Sequence, residues 1–158
     1  MSKSNRFTKT KRYAVDVILI DPHGDIGKAI KSEDWVSGFS YAVRYIEHFG
    51  TIKIKNFVDS KFIQNIENSD QKREVSNRFS EDLNRLSAVN IVFMLFALGL
   101  VNANAYLDLR KIIVERNKLI HPLKKGVGFQ NVEEEKNKRK SMLQQAQKLI
   151  EEIQQIKV

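Results

Sequence analysis

The chain has 158 residues, of which 42% are hydrophobic and 29% charged, a composition typical of one globular domain. It contains no cysteine, which excludes disulfides, thiol nucleophiles, iron–sulfur clusters and cysteine-based zinc sites and fits a reducing cytoplasm. The net charge is +8, and residues 1–12 contribute +5 because they contain no acid and five basic side chains: Lys3, Arg6, Lys9, Lys11 and Arg12.

We therefore predict a basic flexible tail at residues 1–12 and a single helical domain at residues 13–158. A basic tail favours RNA, DNA or an acidic surface as a partner, because cationic side chains release the counterions of phosphates. The alternative is a tail that only keeps the protein in solution. No secretory signal is visible, so we expect a cytoplasmic protein.

The first apolar run, residues 13–20, fits either a short extended segment or a first helix. Residues 21–25 follow as Asp-Pro-His-Gly-Asp, which favours a turn because proline fixes φ and glycine frees it. Asp21, His23 and Asp25 alternate and could also bind a metal ion. Such a turn needs no ligand, so we predict no metal and no cofactor.

A helix is predicted from a Ser32 N-cap through apolar residues at helical spacing as far as Phe49, with Gly50 ending it. Residues 51–58 alternate and suggest a short extended piece. A short helix capped by Asp59 or Ser60 then follows.

Residues 71–101 read as one long helix whose second half, from Ala88, is apolar nearly all round. That half is shorter than a membrane-spanning helix, so we assign it to the core and predict no membrane association. Asn104 caps the next helix, which ends near His121 because Pro122 disfavours helix before it. A last amphipathic helix spans residues 133–156. The prediction is an all-α, four- to five-helix up-and-down bundle.

One segment carries residues suited to phosphodiester chemistry. Arg116 and His121 are five positions apart and would diverge on a straight helix, but Pro122 takes the backbone at His121 out of the helix. A histidine can accept the proton of a ribose 2′-hydroxyl, and an arginine can hold the phosphate and its developing negative charge. The alternative is structural: Arg116 pairs with Asp108 or Glu115, and His121 only ends the helix.

The residues Glu-Arg-Asn-Lys-Leu-Ile-His-Pro resemble the R-x4–6-H signature of HEPN-domain proteins, within a similar helical context. The resemblance implies a helical bundle that dimerises with its two motifs facing each other. It also implies a metal-independent endoribonuclease, of the kind found in toxin–antitoxin and other defence systems, that acts on single-stranded RNA and leaves a 2′,3′-cyclic phosphate. An antitoxin of nucleotidyltransferase type is a further implied partner.

Carried onto this chain, the resemblance makes Arg116 and His121 the catalytic pair and Asn117 a supporting residue. Family members often add a polar residue from an earlier helix, and Glu47 and His48 are both candidates. Basic residues near the motif are candidates for RNA binding together with the tail: Lys118, Lys124 and Lys125. The alternative function is a non-catalytic module of the same fold that binds RNA or nucleotide, or assembles with a partner.

Overall fold

The computed structural model describes residues 21–121 and 132–158. Within those ranges it forms six α-helices: α1 (Pro22–Lys31), α2 (Trp35–Lys61), α3 (Ser69–Leu83), α4 (Ala88–Ala97), α5 (Ala103–Ile120) and α6 (Val132–Gln155). A 3₁₀-helix at Ile63–Asn65 links α2 to α3. The prediction of an all-α bundle is confirmed. The basic tail, residues 13–20, Lys124 and Lys125 lie outside the described residues.

Helix α2 is the centre of the bundle, since α1, α4, α5 and α6 all pack against it. Its core face carries Phe39, Ile46 and Ile54, each fully buried. Two glycines allow neighbours to come close: a Cβ on Gly38 would lie 2.7 Å from Leu143 of α6, and a Cβ on Gly50 would lie 2.6 Å from Ile91 of α4.

The predicted helix end at Gly50 and the extended piece at residues 51–58 are wrong, because α2 continues unbroken to Lys61. A glycine inside a helix costs about 1 kcal/mol relative to alanine. At Gly50 that cost is offset by the packing of Ile91 and Leu95 directly against the helix backbone. Ile54, one turn further on, keeps the buried face continuous beyond the glycine. The predicted caps at Asp59 and Ser60 fall inside this helix.

The single helix predicted at residues 71–101 is two helices, α3 and α4, separated by residues 84–87. The backbone of Ser87 is extended, with φ −74° and ψ 159°, so the helix restarts where the apolar run begins. In α4 Ile91, Val92 and Leu95 are buried, as the assignment of this run to the core requires. No helix in the described ranges is long and apolar enough to span a membrane.

The segment predicted as a turn at residues 21–25 instead begins α1. Asp21 is the N-cap, accepting a hydrogen bond from the Gly24 amide at 2.9 Å, and Pro22 occupies the first helical position, where its missing N–H is no loss. The Tyr45 hydroxyl donates to Asp25, and His23 bonds Glu151 of α6 at 2.6 Å. Each of the three side chains proposed for a metal therefore has a structural role, and the described residues contain no metal-binding cluster.

Two predicted helix caps are also shifted by two residues. Asp34, rather than Ser32, caps α2 by accepting a hydrogen bond from the Ser37 amide at 3.1 Å. Asn102, rather than Asn104, caps α5 by accepting from the Ala105 amide at 2.9 Å. In both cases the correct cap is the residue immediately before the first helical position, where its side chain reaches the free amides of the first turn.

Candidate functional site

Helix α5 ends near His121, as the sequence predicts. Ile120 is the last helical residue, and His121 has φ −119° and ψ 68°, outside the helical region. The His121 amide still donates a helical hydrogen bond to the Asn117 carbonyl at 2.9 Å. His121 is therefore the residue at which the backbone leaves the helix. The His121 side chain is exposed. The predicted break in direction at His121 is therefore present.

Arg116 lies one turn earlier and is only partly exposed. Its Nη1 donates to Asn117 Oδ1 at 3.1 Å, which fixes the motif's arginine against its asparagine. Its Nε is buried and has no hydrogen-bond partner in the described part of the chain. A buried donor without a partner is costly on a charged group, and the described residues supply no acceptor for this one.

The ion pairs offered as the structural alternative for Arg116 are not formed. Asp108 pairs with Lys111 at 2.8 Å. Glu115, which is only 6% exposed, faces α6 and pairs with Arg139 at 3.4 Å. Glu115 also pairs with the exposed Lys118 at 3.6 Å, which ties one of the predicted RNA-binding lysines to the helix end.

Arg116 and Asn117 line a cleft of about 440 Å³ between α2, α5 and the start of α4, which we call the Arg116 cleft. Helix α2 contributes Arg44 and Glu47 to the same cleft. Glu47 is half-buried and forms no ion pair with any residue of ranges 21–121 and 132–158. A guanidinium and a carboxylate thus line one cleft without neutralising each other.

His48, the other candidate from α2, lines a neighbouring groove of about 630 Å³, which we call the Arg44 groove. This groove lies between α2 and the end of α3, and it shares Arg44 and Glu47 with the Arg116 cleft. The structure therefore brings Glu47, and not His48, alongside Arg116 and Asn117. Sequence reasoning did not single out Arg44, although its position three residues before Glu47 places both on one face of a helix.

His121 is not among the residues that line either cavity. Of the predicted set, Arg116, Asn117 and Glu47 therefore lie together, and His121 lies at the end of the same helix. The arrangement can bind an anion: a partly buried guanidinium attracts a phosphate more strongly than an exposed one because water screens it less. The free carboxylate of Glu47 can accept a hydrogen bond from a hydroxyl group or a protonated ring.

Comparison with protein-family models, with curated proteins and with solved structures finds no match to this chain. The similarity to HEPN proteins therefore depends on the residues at 115–122 and on the helical architecture around them.

Proposed function

We propose that the protein is a metal-independent endoribonuclease of HEPN type, a toxin or defence component that acts as a homodimer. One observation carries the proposal above all. Arg116 presents a partly buried guanidinium, unpartnered at Nε, to a cleft that also holds a free carboxylate. This guanidinium lies five residues before a histidine at which the helix ends.

The proposed reaction uses the RNA's own 2′-hydroxyl as nucleophile. His121 accepts the hydroxyl proton, the 2′-oxygen attacks the adjacent phosphorus, and the bond from phosphorus to the 5′-oxygen breaks. The 5′-oxygen takes up a proton from water and leaves as a hydroxyl, and His121 returns its proton to solvent, while the other product ends in a 2′,3′-cyclic phosphate. Arg116 stabilises the extra negative charge on the phosphate oxygens, and Asn117 holds the guanidinium in position.

The proposed homodimer is supported by an apolar surface on α4 and α5 that the described residues leave uncovered, which we call the α4–α5 face. Its four large side chains are 39–54% exposed: Phe93, Phe96, Leu107 and Val114. Leu107 and Val114 are seven residues apart, a spacing that keeps both on one side of α5.

Purified protein and single-stranded RNA in EDTA test the proposal. We expect cleavage by the wild-type protein and a loss of at least about 100-fold in rate in Arg116→Ala and in His121→Ala, since proton-transfer groups and groups that stabilise charge in the transition state each typically contribute that much. Arg78→Ala and His23→Ala are matched controls, because Arg78 pairs with Glu74 and His23 with Glu151, away from both cavities. Absence of cleavage, or cleavage that survives both motif substitutions, contradicts the proposal.

A second candidate function is a non-catalytic module that binds RNA or nucleotide through the same cleft. The position of His121 outside the lining of the Arg116 cleft favours it. Under that alternative, labelled RNA binds the wild-type protein and stays intact. His121→Ala then binds as well as wild type, and Arg116→Ala binds more weakly.

A further inference from the structure

The Arg44 groove carries polar side chains that the fold does not use. Arg44, His48 and Asn84 line it, and none of these side chains forms a hydrogen bond or ion pair within residues 21–121 and 132–158. Two arginines nearby are paired: Arg78 of α3 with Glu74 at 2.8 Å, and Arg85, in the segment between α3 and α4, with Asp82 at 3.9 Å. Arg44 therefore differs from these two arginines in having no carboxylate partner among the described residues.

The same groove has an apolar wall. Ile52 of α2 is 40% exposed here, Leu86 is partly buried, and Leu83 closes the floor at 2% exposure. A volume of about 630 Å³ is within the range of small-molecule sites. Apolar side chains with one amide at the edge suit a nucleobase, whose flat faces are apolar and whose edge offers hydrogen-bonding groups.

The charged side chains that line the groove all belong to α2. Arg44 and Glu47 both belong to the groove and to the Arg116 cleft, so a cation and a carboxylate lie where the two cavities meet. Lys55 lines the groove's far side but is neutralised by Asp59 and bonds Ser76, which leaves Arg44 as the free cation of the groove among the described residues. A ligand passing from one cavity to the other would meet Arg116 first and then Arg44, two guanidinium groups suited to successive phosphates.

We propose that the Arg44 groove is a nucleotide subsite, which binds the nucleotide of the RNA next to the phosphate held at Arg116. Arg44 binds its phosphate, Ile52 and Leu86 contact the face of its base, and the Asn84 amide bonds the base edge. Asparagine bonds base edges through its paired donor and acceptor, so Asn84 is the residue that distinguishes one base from another. That the bound nucleotide is the neighbour of the cleaved phosphate rests on the proposed function. The existence of a nucleotide site in the groove does not.

Fluorescent 2′-O-methyl pentanucleotides of A, U, C or G test the site with the full-length protein in EDTA. The blocked 2′-oxygen cannot attack phosphorus, so binding is measured apart from cleavage. We expect the wild-type protein to bind the four sequences with different affinities, and Asn84→Ala to reduce that difference about tenfold. Arg44→Ala should weaken binding of all four sequences about equally, because phosphate contacts do not depend on sequence.

Asn137→Ala and Arg78→Ala are the matched controls, since Asn137 is exposed on α6 and Arg78 is exposed on α3 outside the groove. Both should stay within about twofold of wild type. His48→Ala is a second groove variant, independent of the α3 end that Asn84 belongs to, and should weaken binding of at least one sequence. Circular dichroism melting confirms that each variant is folded.

The inference is overturned if the wild-type protein binds no oligonucleotide, binds all four equally, or is unaffected by Arg44→Ala and Asn84→Ala. Its failure is separable from failure of the proposed function. If the groove variants weaken binding but unmodified RNA is not cleaved, the subsite is supported and the nuclease is contradicted. If cleavage requires Arg116 and His121 but is unchanged in the groove variants, the nuclease is supported and the subsite is contradicted.

Discussion

At the scale of single residues, Arg116 and Glu47 show which features of the candidate site can be predicted from local sequence and which cannot. The motif spacing and the proline predict where α5 ends, because both are local properties of the backbone. Glu47 lies about 70 positions earlier in the chain, and only the packing of α2 against α5 places it in the cleft with Arg116. No spacing rule chooses between Glu47 and His48, since neighbouring residues on a helix differ by about 100° in direction and the axis must be known first.

The environment of Tyr45 should make the free energy of unfolding depend on pH. Its ring is 7% exposed, and burial, together with its hydrogen bond to Asp25, raises the pKa of the Tyr45 hydroxyl to about 12. The unfolded chain loses this proton near pH 10, whereas the folded chain keeps it until about pH 12. The contribution to the free energy of unfolding is therefore complete below pH 10 and is lost as pH rises through this window.

We expect wild-type protein to lose about 2 kcal/mol more stability than Tyr45→Phe between pH 9 and pH 12. Urea unfolding at a series of alkaline pH values measures the difference. Tyr41→Phe is the control, because Tyr41 is 38% exposed and should follow the wild-type curve. Parallel curves for wild type and Tyr45→Phe would contradict the account of this buried pair.

At the scale of elements, helix existence is easier to predict than helix boundaries. The apolar spacing of α2 and α5 is local and predicts both helices correctly over most of their length. The continuation of α2 past Gly50 is not local, because it depends on Ile91 and Leu95 of α4 packing against the glycine. The division between α3 and α4 is likewise set by tertiary packing, since α3 buries Leu83 at its end whereas α4 buries four residues along its length: Ala88, Ile91, Val92 and Leu95.

The role of Gly50 gives a test of this helix packing. A methyl group at Gly50 would lie 2.6 Å from Ile91 Cγ2 and 3.2 Å from Leu95 Cδ1, so Gly50→Ala should lower the free energy of unfolding by about 1–3 kcal/mol. Gly27→Ala is the matched control: its methyl group would lie 3.9 Å from Gln147 Nε2, an ordinary contact, and the substitution should raise stability by up to about 1 kcal/mol. Chemical denaturation measures both, and a Gly50→Ala protein as stable as wild type would contradict the close approach of α4 to α2.

At the scale of the whole molecule, the described helices share one buried core, and the α4–α5 face carries apolar side chains that these helices leave exposed. A bundle could be predicted from composition and helical spacing. The uncovered face could not, because the exposure of Leu107 and Val114 depends on which side of α5 packs against the neighbouring helices.

Dimerisation through this face can be tested by charge. We expect the double substitution Leu107→Glu and Val114→Glu to weaken self-association at least tenfold, since each buries a carboxylate against an apolar partner. Val75→Glu is the control, because Val75 of α3 is 43% exposed away from the α4–α5 face. Sedimentation velocity over a concentration series measures the change. A wild-type protein that is monomeric throughout, or a double variant that associates as wild type does, would show that this face is not the interface.

The most direct test of the central claim is the chemical identity of the ends produced from RNA in EDTA. Mass spectrometry of the fragments should find a 2′,3′-cyclic phosphate on one product and a 5′-hydroxyl on the other, because the 2′-oxygen is the nucleophile. Both ends should disappear with Arg116→Ala and His121→Ala and persist with Arg78→Ala and His23→Ala. Intact RNA, or fragments whose ends are a 3′-hydroxyl and a 5′-phosphate, would contradict an Arg116–His121 ribonuclease.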